Sequence, residues 1–334
     1  KVGWSAQGWA LVGGNGIVWR LIILGIDVST GINPQSYPVG DVDVSAWQML
    51  PDQAAEDALL DAARLAYGVN ANASIVAAPG TQALIQALPR LVNGPTRLAV
   101  TPVGYQEHAK CWSSAGHDLV PSDNPLALDG DVTHAVIINP HNPLGTIYRA
   151  DDILRVAKTL SDRDGFLVVD EAFCDVAPEL SDVGLAGMDG LVILRSFGMF
   201  YGLAGLRLGF AIGSAEHISD IKNDLGPWAV SGPALALGAR ALRDESWAEN
   251  MRAQLKKSMI LLRGVLSRMG FDVVGGCDLF CTVRHKDAHR IARELAAQRI
   301  LVRPFDEDTS LLRFGLPKSG AELTRLENAV RMLG

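Results

Sequence analysis

Several residues stand where their chemistry is costly unless a ligand uses it. Asp170 closes the apolar run Phe166-Leu-Val-Val, and a carboxylate at the carboxyl end of a buried strand is expensive unless a partner meets it. Arg303 in Leu-Val-Arg-Pro-Phe and Arg313 in Leu-Leu-Arg-Phe-Gly-Leu interrupt otherwise apolar strands, where a guanidinium is rarely comfortable without an anion. Gly80-Thr81-Gln82 follows the short apolar run Ser74-Ile-Val-Ala-Ala78 and opens a helical pattern. A strand feeding a helix in this way leaves the first helical N–H groups aimed at one spot, a ready phosphate site. In Asn139-Pro-His-Asn142-Pro143-Leu-Gly145 the prolines lock a turn and Asn142 has an amide to offer. Such a set suits a small anionic ligand that carries a phosphate.

The elements that must position these residues can be read from hydrophobic patterning. Short apolar runs at 74–78, 97–101, 133–138, 166–170, 191–194 and 208–212 predict strands buried on both faces. Between them, helical patterns run over 52–68, 81–91, toward Gly116, and over 151–161. Strand and helix alternating from 74 to 212 predict an α/β domain with a doubly wound, mostly parallel sheet and a ligand at the strands' carboxyl ends. Arg195-Ser196-Phe197-Gly198 reads as a polar turn after Leu194. Beyond Ile212 come helices near 234–243, 245–269 and 287–298 and strands at 271–274, 279–283 and 300–302, which predict a smaller α+β domain. The expected division is 1–44 as an arm with part of the small domain, 45–225 as the large domain and 226–334 as the small one.

Composition narrows the classes of partner. The 334 residues are 48% hydrophobic, enough for two cores. A formal charge of −7 with no basic run argues against nucleic acid and anionic membranes. Cys111, Cys174, Cys277 and Cys281 form no Cys-x-x-Cys pair, so zinc is not expected and reduced thiols in a cytoplasm are. The apolar stretch 17–27 is interrupted by Arg20 and falls short of the about 20 residues of a membrane span; it reads as an arm or edge strand.

The stretch Ser196-Phe-Gly-Met199, followed by Leu203-Ala-Gly-Leu-Arg207-Leu-Gly209, resembles the cofactor segment of fold-type I enzymes that use pyridoxal phosphate (PLP). The Asn-Pro-His-Asn-Pro-Leu-Gly signature and Asp170 extend the resemblance over residues 27 to 317. It implies the aspartate aminotransferase-like fold and a role for each matching residue. Gly80, Thr81, Gln82, Ser196 and Arg207 would cup the cofactor phosphate, and Tyr105 would stack on the pyridine. Asn142 would meet its phenolic oxygen and Asp170 its ring nitrogen, with His108 behind Asp170. Arg313 would clamp the substrate carboxylate, Arg303 a distal phosphate, and Gly31 and Ile32 would lie over the site. A homodimer is also implied.

Within that family the resemblance is closest to the threonine-phosphate decarboxylases of cobalamin synthesis, which are related to histidinol-phosphate aminotransferases. Ser29-Thr-Gly-Ile-Asn-Pro34, Gly226-Pro-Trp-Ala-Val-Ser-Gly-Pro233 and Arg303-Pro-Phe carry it. Leu50 and Phe173 replace tyrosines common in aminotransferases. The implied substrate is a small phosphorylated amino acid. One departure bears on all of this: relatives attach the cofactor covalently to a lysine, and Met199 occupies that position. Methionine has no amine with which to do so.

Overall fold

In a computed structural model of the chain, residues 2–5, 8–11 and 25–333 are described. They form two compact units, one of residues 36–142 and 146–251, the other of the described residues among 1–35 with 143–145 and 252–333.

In the larger unit, seven strands among the described residues form one sheet. Their order across it is Ser74–Ala78, Gly209–Gly213, Leu191–Ser196, Leu167–Asp170, His134–Ile138, Arg97–Val100 and Asp118–Pro121. The last five run parallel; Gly209–Gly213 is antiparallel to both its neighbours. Leu98, Val136, Val168, Val192 and Leu194 pack with Leu84, Ile85, Trp112 and Ile218 in one core. These strands are apolar throughout because helices cover both faces. The helix Gln53–Tyr67 shows why its boundaries fall where they do. Asp52 accepts a hydrogen bond from the Ala55 N–H at 2.9 Å, and Gly68 closes the helix in the left-handed conformation.

Two features differ from expectation. Arg195 and Ser196 continue the Leu191–Ser196 strand as buried residues instead of turning away. Asp118–Pro121, with exposed ends, forms the outermost strand; its polar, two-sided pattern carries too little hydrophobic signal to be read as a strand.

The smaller unit holds an antiparallel sheet in the order Asp272–Cys277, Phe280–Arg284, Leu311–Gly315 and Arg303–Pro304. Ile26–Asp27 pairs with Ile300–Leu301 in parallel, and Val2–Ser5 with Gly8–Leu11 as a hairpin. Of the stretch 17–27 expected as an arm or edge strand, residues 17–24 lie outside the described residues. The helix Ala288–Ala297 buries Ala288, Ile291, Ala292 and Leu295 on one stripe. Among the described residues no helix is long and apolar enough to cross a membrane.

Candidate active site

The larger unit gathers most of the chemically costly residues at the carboxyl ends of its parallel strands. Asp170 ends its strand only 3% exposed. The ring Nε2 of His108 donates to Asp170 Oδ2 at 2.8 Å, and the Ala172 N–H donates to Oδ1 at 3.0 Å. His108 is itself buried on the helix Glu107–Ser114. The histidine therefore orients the carboxylate from behind, while further lone pairs on its oxygens stay available to a donor in front.

Tyr105 precedes that helix and is 38% exposed, its ring edge-on to His108 at 6.3 Å. Its hydroxyl donates to Gln82 Oε1 at 3.1 Å, and Gln82 Nε2 donates to Glu107 at 3.3 Å. Partial burial, then the negative charges of Asp170 and Glu107, push the Tyr105 phenol up to about 12, so it stays neutral. Because the Gln82 side chain already clamps Tyr105 and Glu107, what Gln82 offers a phosphate is its backbone N–H.

Gly80 stands between the Ser74–Ala78 strand and the helix Thr81–Ala87 with φ +85°, a conformation that side chains rarely adopt. A Cβ there would lie 2.6 Å from the Arg207 guanidinium. Arg207 is thus laid across Gly80, beside the first N–H groups of the helix. Gly209 lets the neighbouring strand approach, since a Cβ on it would sit 2.6 Å from the Thr81 nitrogen. Ser196 ends the adjoining strand, 7% exposed. A guanidinium, a serine and unpaired helical N–H groups make a cradle of the right chemistry for a phosphate.

Asn142 is 8% exposed in the turn after His134–Ile138. The turn begins with a cis Asn139–Pro140 bond and is tied by the His141 N–H donating to Thr146 O at 2.8 Å. Gly104 brings the Tyr105 loop alongside: a Cβ on it would lie 3.5 Å from the Asn142 carbonyl oxygen. Met199 lies half-buried in the short helix Phe197–Phe200.

In the smaller unit Arg303 and Arg313 face each other across paired strands. Arg313 is 8% exposed, lies over the Phe280 ring at 5.2 Å and donates to Ser29 O at 2.7 Å. Burial, then the neighbouring Arg303, push its pKa well below the usual guanidinium value. Gly31 and half-buried Ile32 belong to the segment held here by the Gly315 N–H donating to Val28 O at 2.7 Å. So Gly80, Thr81, Gln82, Tyr105, Asn142, Asp170, Ser196, Met199 and Arg207 belong to one unit, and Gly31, Ile32, Arg303 and Arg313 to the other. The sequence reading missed Arg195 and Glu171, a buried ion pair next to Ser196 and Asp170. Arg195 at the end of an apolar run was the available signal.

The profile of the class I and II aminotransferases matches residues 47–331. The chain belongs to that family. It is 37% identical over 309 residues to a threonine-phosphate decarboxylase of Pseudomonas aeruginosa, covering 91% of each chain. It is 32% identical over 215 residues to a histidinol-phosphate aminotransferase of Citrifermentans bemidjiense, covering 64% of this chain and 59% of the relative. Among solved structures, histidinol-phosphate aminotransferase of Sinorhizobium meliloti in complex with pyridoxal-5'-phosphate matches with a TM-score of 0.78 at 19% identity, covering 97% and 96%. The family's cofactor is PLP. This aminotransferase-family chain fits it by non-covalent contact: the cradle at Gly80 and Arg207 suits the phosphate, and the buried Asp170–His108 pair suits a protonated ring nitrogen. Met199 does not fit covalent attachment.

Proposed function

We propose that the site is that of a PLP-dependent lyase acting on L-threonine O-3-phosphate, releasing carbon dioxide and leaving aminopropanol phosphate for cobalamin synthesis. The observation that carries this reading is the 37% identity to a threonine-phosphate decarboxylase over 91% of both chains. The facing arginines Arg303 and Arg313 support it, since the substrate brings two anionic groups.

Each residue then has a task. Gly80, Thr81, Gln82, Ser196 and Arg207 hold the cofactor phosphate. Asp170, steadied by His108, keeps the pyridine nitrogen protonated, and Tyr105 and Asn142 fix the ring's face and phenolic oxygen. When bound, PLP supplies an electron sink for the pair left at Cα as the carboxylate departs. Arg313 takes the substrate carboxylate and Arg303 its phosphate, while Gly31 and Ile32 cover the substrate. Cα must then receive a proton. In relatives the lysine at the position of Met199 serves for this, so the chain as it stands binds cofactor and substrate and turns over slowly.

The test is to restore Met199→Lys and supply threonine phosphate with and without 2-oxoglutarate. Carbon dioxide release supports the lyase. A keto acid that depends on 2-oxoglutarate supports instead a histidinol-phosphate-type aminotransferase, which the 32% identity favours. A chain that binds PLP but yields neither product from threonine phosphate or any other aminophosphate, histidinol phosphate included, would leave a PLP-fold binding protein, the reading that Met199 favours.

The same proposal includes a homodimer. Val44, Trp47, Met49, Leu50 and Trp228 of the larger unit are each at least 60% exposed. Four of them flank or lie in the helix Ser45–Gln48, which packs on Gly232, where a Cβ would meet Ala46 O at 2.3 Å. An apolar patch of this kind suits a protein interface. Sedimentation at micromolar concentration should show a species of twice the chain mass.

A further inference from the structure

Behind the cofactor-holding residues lies a buried charged cluster to which the reaction assigns no role. Arg195, 1% exposed, donates to Glu171 at 2.6 Å, to Ser181 Oγ at 3.2 Å and also to Asp175. The Tyr67 ring closes its other face at 4.5 Å. Glu171 accepts in turn from Ser181 Oγ at 2.7 Å and from the Asp182 N–H at 2.6 Å. Asp182 Oδ2 accepts from Asn139 Nδ2 at 2.9 Å, and the Tyr148 N–H donates back to Asn139 Oδ1 at 3.1 Å. A continuous chain of hydrogen bonds therefore runs from one strand end to two others.

Its members adjoin the cofactor residues in sequence. Arg195 precedes Ser196, Glu171 follows Asp170, and Asn139 opens the turn that carries Asn142. The backbone ladder stops where they begin: its last links are the Asn139 N–H to Asp170 O and the Glu171 N–H to Leu194 O, both at 2.9 Å. Past that point the side chains of Arg195, Glu171, Asp182 and Asn139 join the three segments. A buried guanidinium among carboxylates is a poor device for stability, because desolvation offsets most of the attraction and apolar residues of equal volume serve as well. Fixed geometry is what such a network supplies, and sites need their contacting residues held by a second layer.

We propose that Arg195, Glu171 and Asp182 form a positioning relay that sets the mutual placement of Ser196, Asp170 and the Asn139–Asn142 turn, and thereby the orientation of bound cofactor. The proposal rests on the cofactor site described above. None of the three is among the residues assigned to the cofactor; they are positioning residues.

The experiment titrates the intact chain with PLP and reads both affinity and the circular dichroism that the site induces in the bound chromophore, which reports its orientation. Asp182→Leu cuts the relay at its link to Asn139 while sparing the ion pairs. It should weaken PLP binding about tenfold and remove most of the induced signal at saturation. Asp182→Asn keeps an acceptor for Asn139 and should restore both to within a factor of about two. Ser181→Ala, a milder cut that leaves every charge in place, should weaken binding about threefold. Unchanged affinity and dichroism in Asp182→Leu and Ser181→Ala would overturn the relay, as would an Asp182→Asn chain as impaired as Asp182→Leu. A loss of thermal stability with the induced signal intact would also overturn it, since a merely structural network behaves that way. The cofactor site stands or falls separately: PLP binding that survives Asp170→Ala unchanged would overturn that site.

Discussion

Two arginines, both withdrawn from water, have opposite surroundings. Burial works against the charge on Arg195, yet Asp175 and Glu171 beside it hold its pKa well above the usual value. Arg313 meets burial and a second guanidinium, and its pKa is pushed down. The first cation is satisfied by the protein's own carboxylates. The second, under the proposed function, is the one whose charge an arriving substrate anion would favour. Burial alone does not separate the two; the balance of neighbouring charges does, with carboxylates prevailing at Arg195 and the guanidinium of Arg303 outweighing Cys277 and Asp27 at Arg313.

Met199→Lys sharpens this comparison most, because turnover would then report each arginine separately. Restoring the lysine should raise carbon dioxide release from threonine phosphate by about a thousandfold or more. It should also let borohydride fix PLP to the protein, which the parent chain will not allow. No gain in either assay would break the enzymatic reading.

Exchanging the arginines themselves comes next. Arg195→Met strands Glu171 and Asp175 in the interior and is expected to cost about 3–5 kcal/mol of stability. Arg313→Met gives up the bond to Ser29 O and should lose less stability, about 1 kcal/mol, while affinity for an aminophosphate falls about a hundredfold. Thermal melts and ligand titrations of the two variants test the contrast directly, and equal losses of stability would erase it.

A third contrast lies in pH. His134 packs against Trp112 and Phe166 and is held down to about 4, by burial first and then by His117 and His217. An unfolded histidine takes up its proton near 6.5, so between those values the unfolded chain binds more protons. Stability should therefore fall as pH drops from about 6.5 toward 4, by about 3 kcal/mol at most. Asp182 acts with the opposite sign. Burial raises it to about 6, so the folded chain binds the proton first and gains stability as pH falls through that value toward 3.8. His134→Gln should flatten the acid loss and Asp182→Asn should steepen it, as measured by melting at pH 5 and pH 7.5.

The smallest effect concerns the phosphate cradle. Gly80→Ala forces a side chain to φ +85° and displaces the Arg207 guanidinium. A stability loss of about 1 kcal/mol is expected, with weaker PLP binding. An alanine variant that binds PLP as tightly as the parent would remove Arg207 from the cradle.

Much of this was legible in the sequence where one residue carries its own signal. Asp170 at the end of Phe166-Leu-Val-Val and the Asn-Pro-His-Asn-Pro turn announce themselves because their chemistry conflicts with their neighbours. Arg195 carried only half a signal, its place at the end of an apolar run. Its partners Glu171, Asp175 and Ser181 come from another part of the chain, and without them an arginine and a serine after Leu194 look like a turn. The Asp118–Pro121 strand was missed for a related reason, since only its register against Arg97–Val100 reveals it. Gln82 shows a third limit: its place in the cradle followed from helix grammar, while its side chain's duty to Tyr105 and Glu107 required coordinates.

The Ser74–Ala78 strand lies at the sheet's edge and bonds to Gly209–Gly213, a segment made much later in synthesis. Closing so long a loop is slow, because its entropy must be surrendered before any contact repays it. The Gly80 cradle, which needs Arg207 and Gly209 beside it, thus belongs to the last stage of folding. On a ribosome the chain would emerge through residue 213 before it could capture a phosphate there. Added PLP should accordingly slow unfolding far more than it speeds refolding.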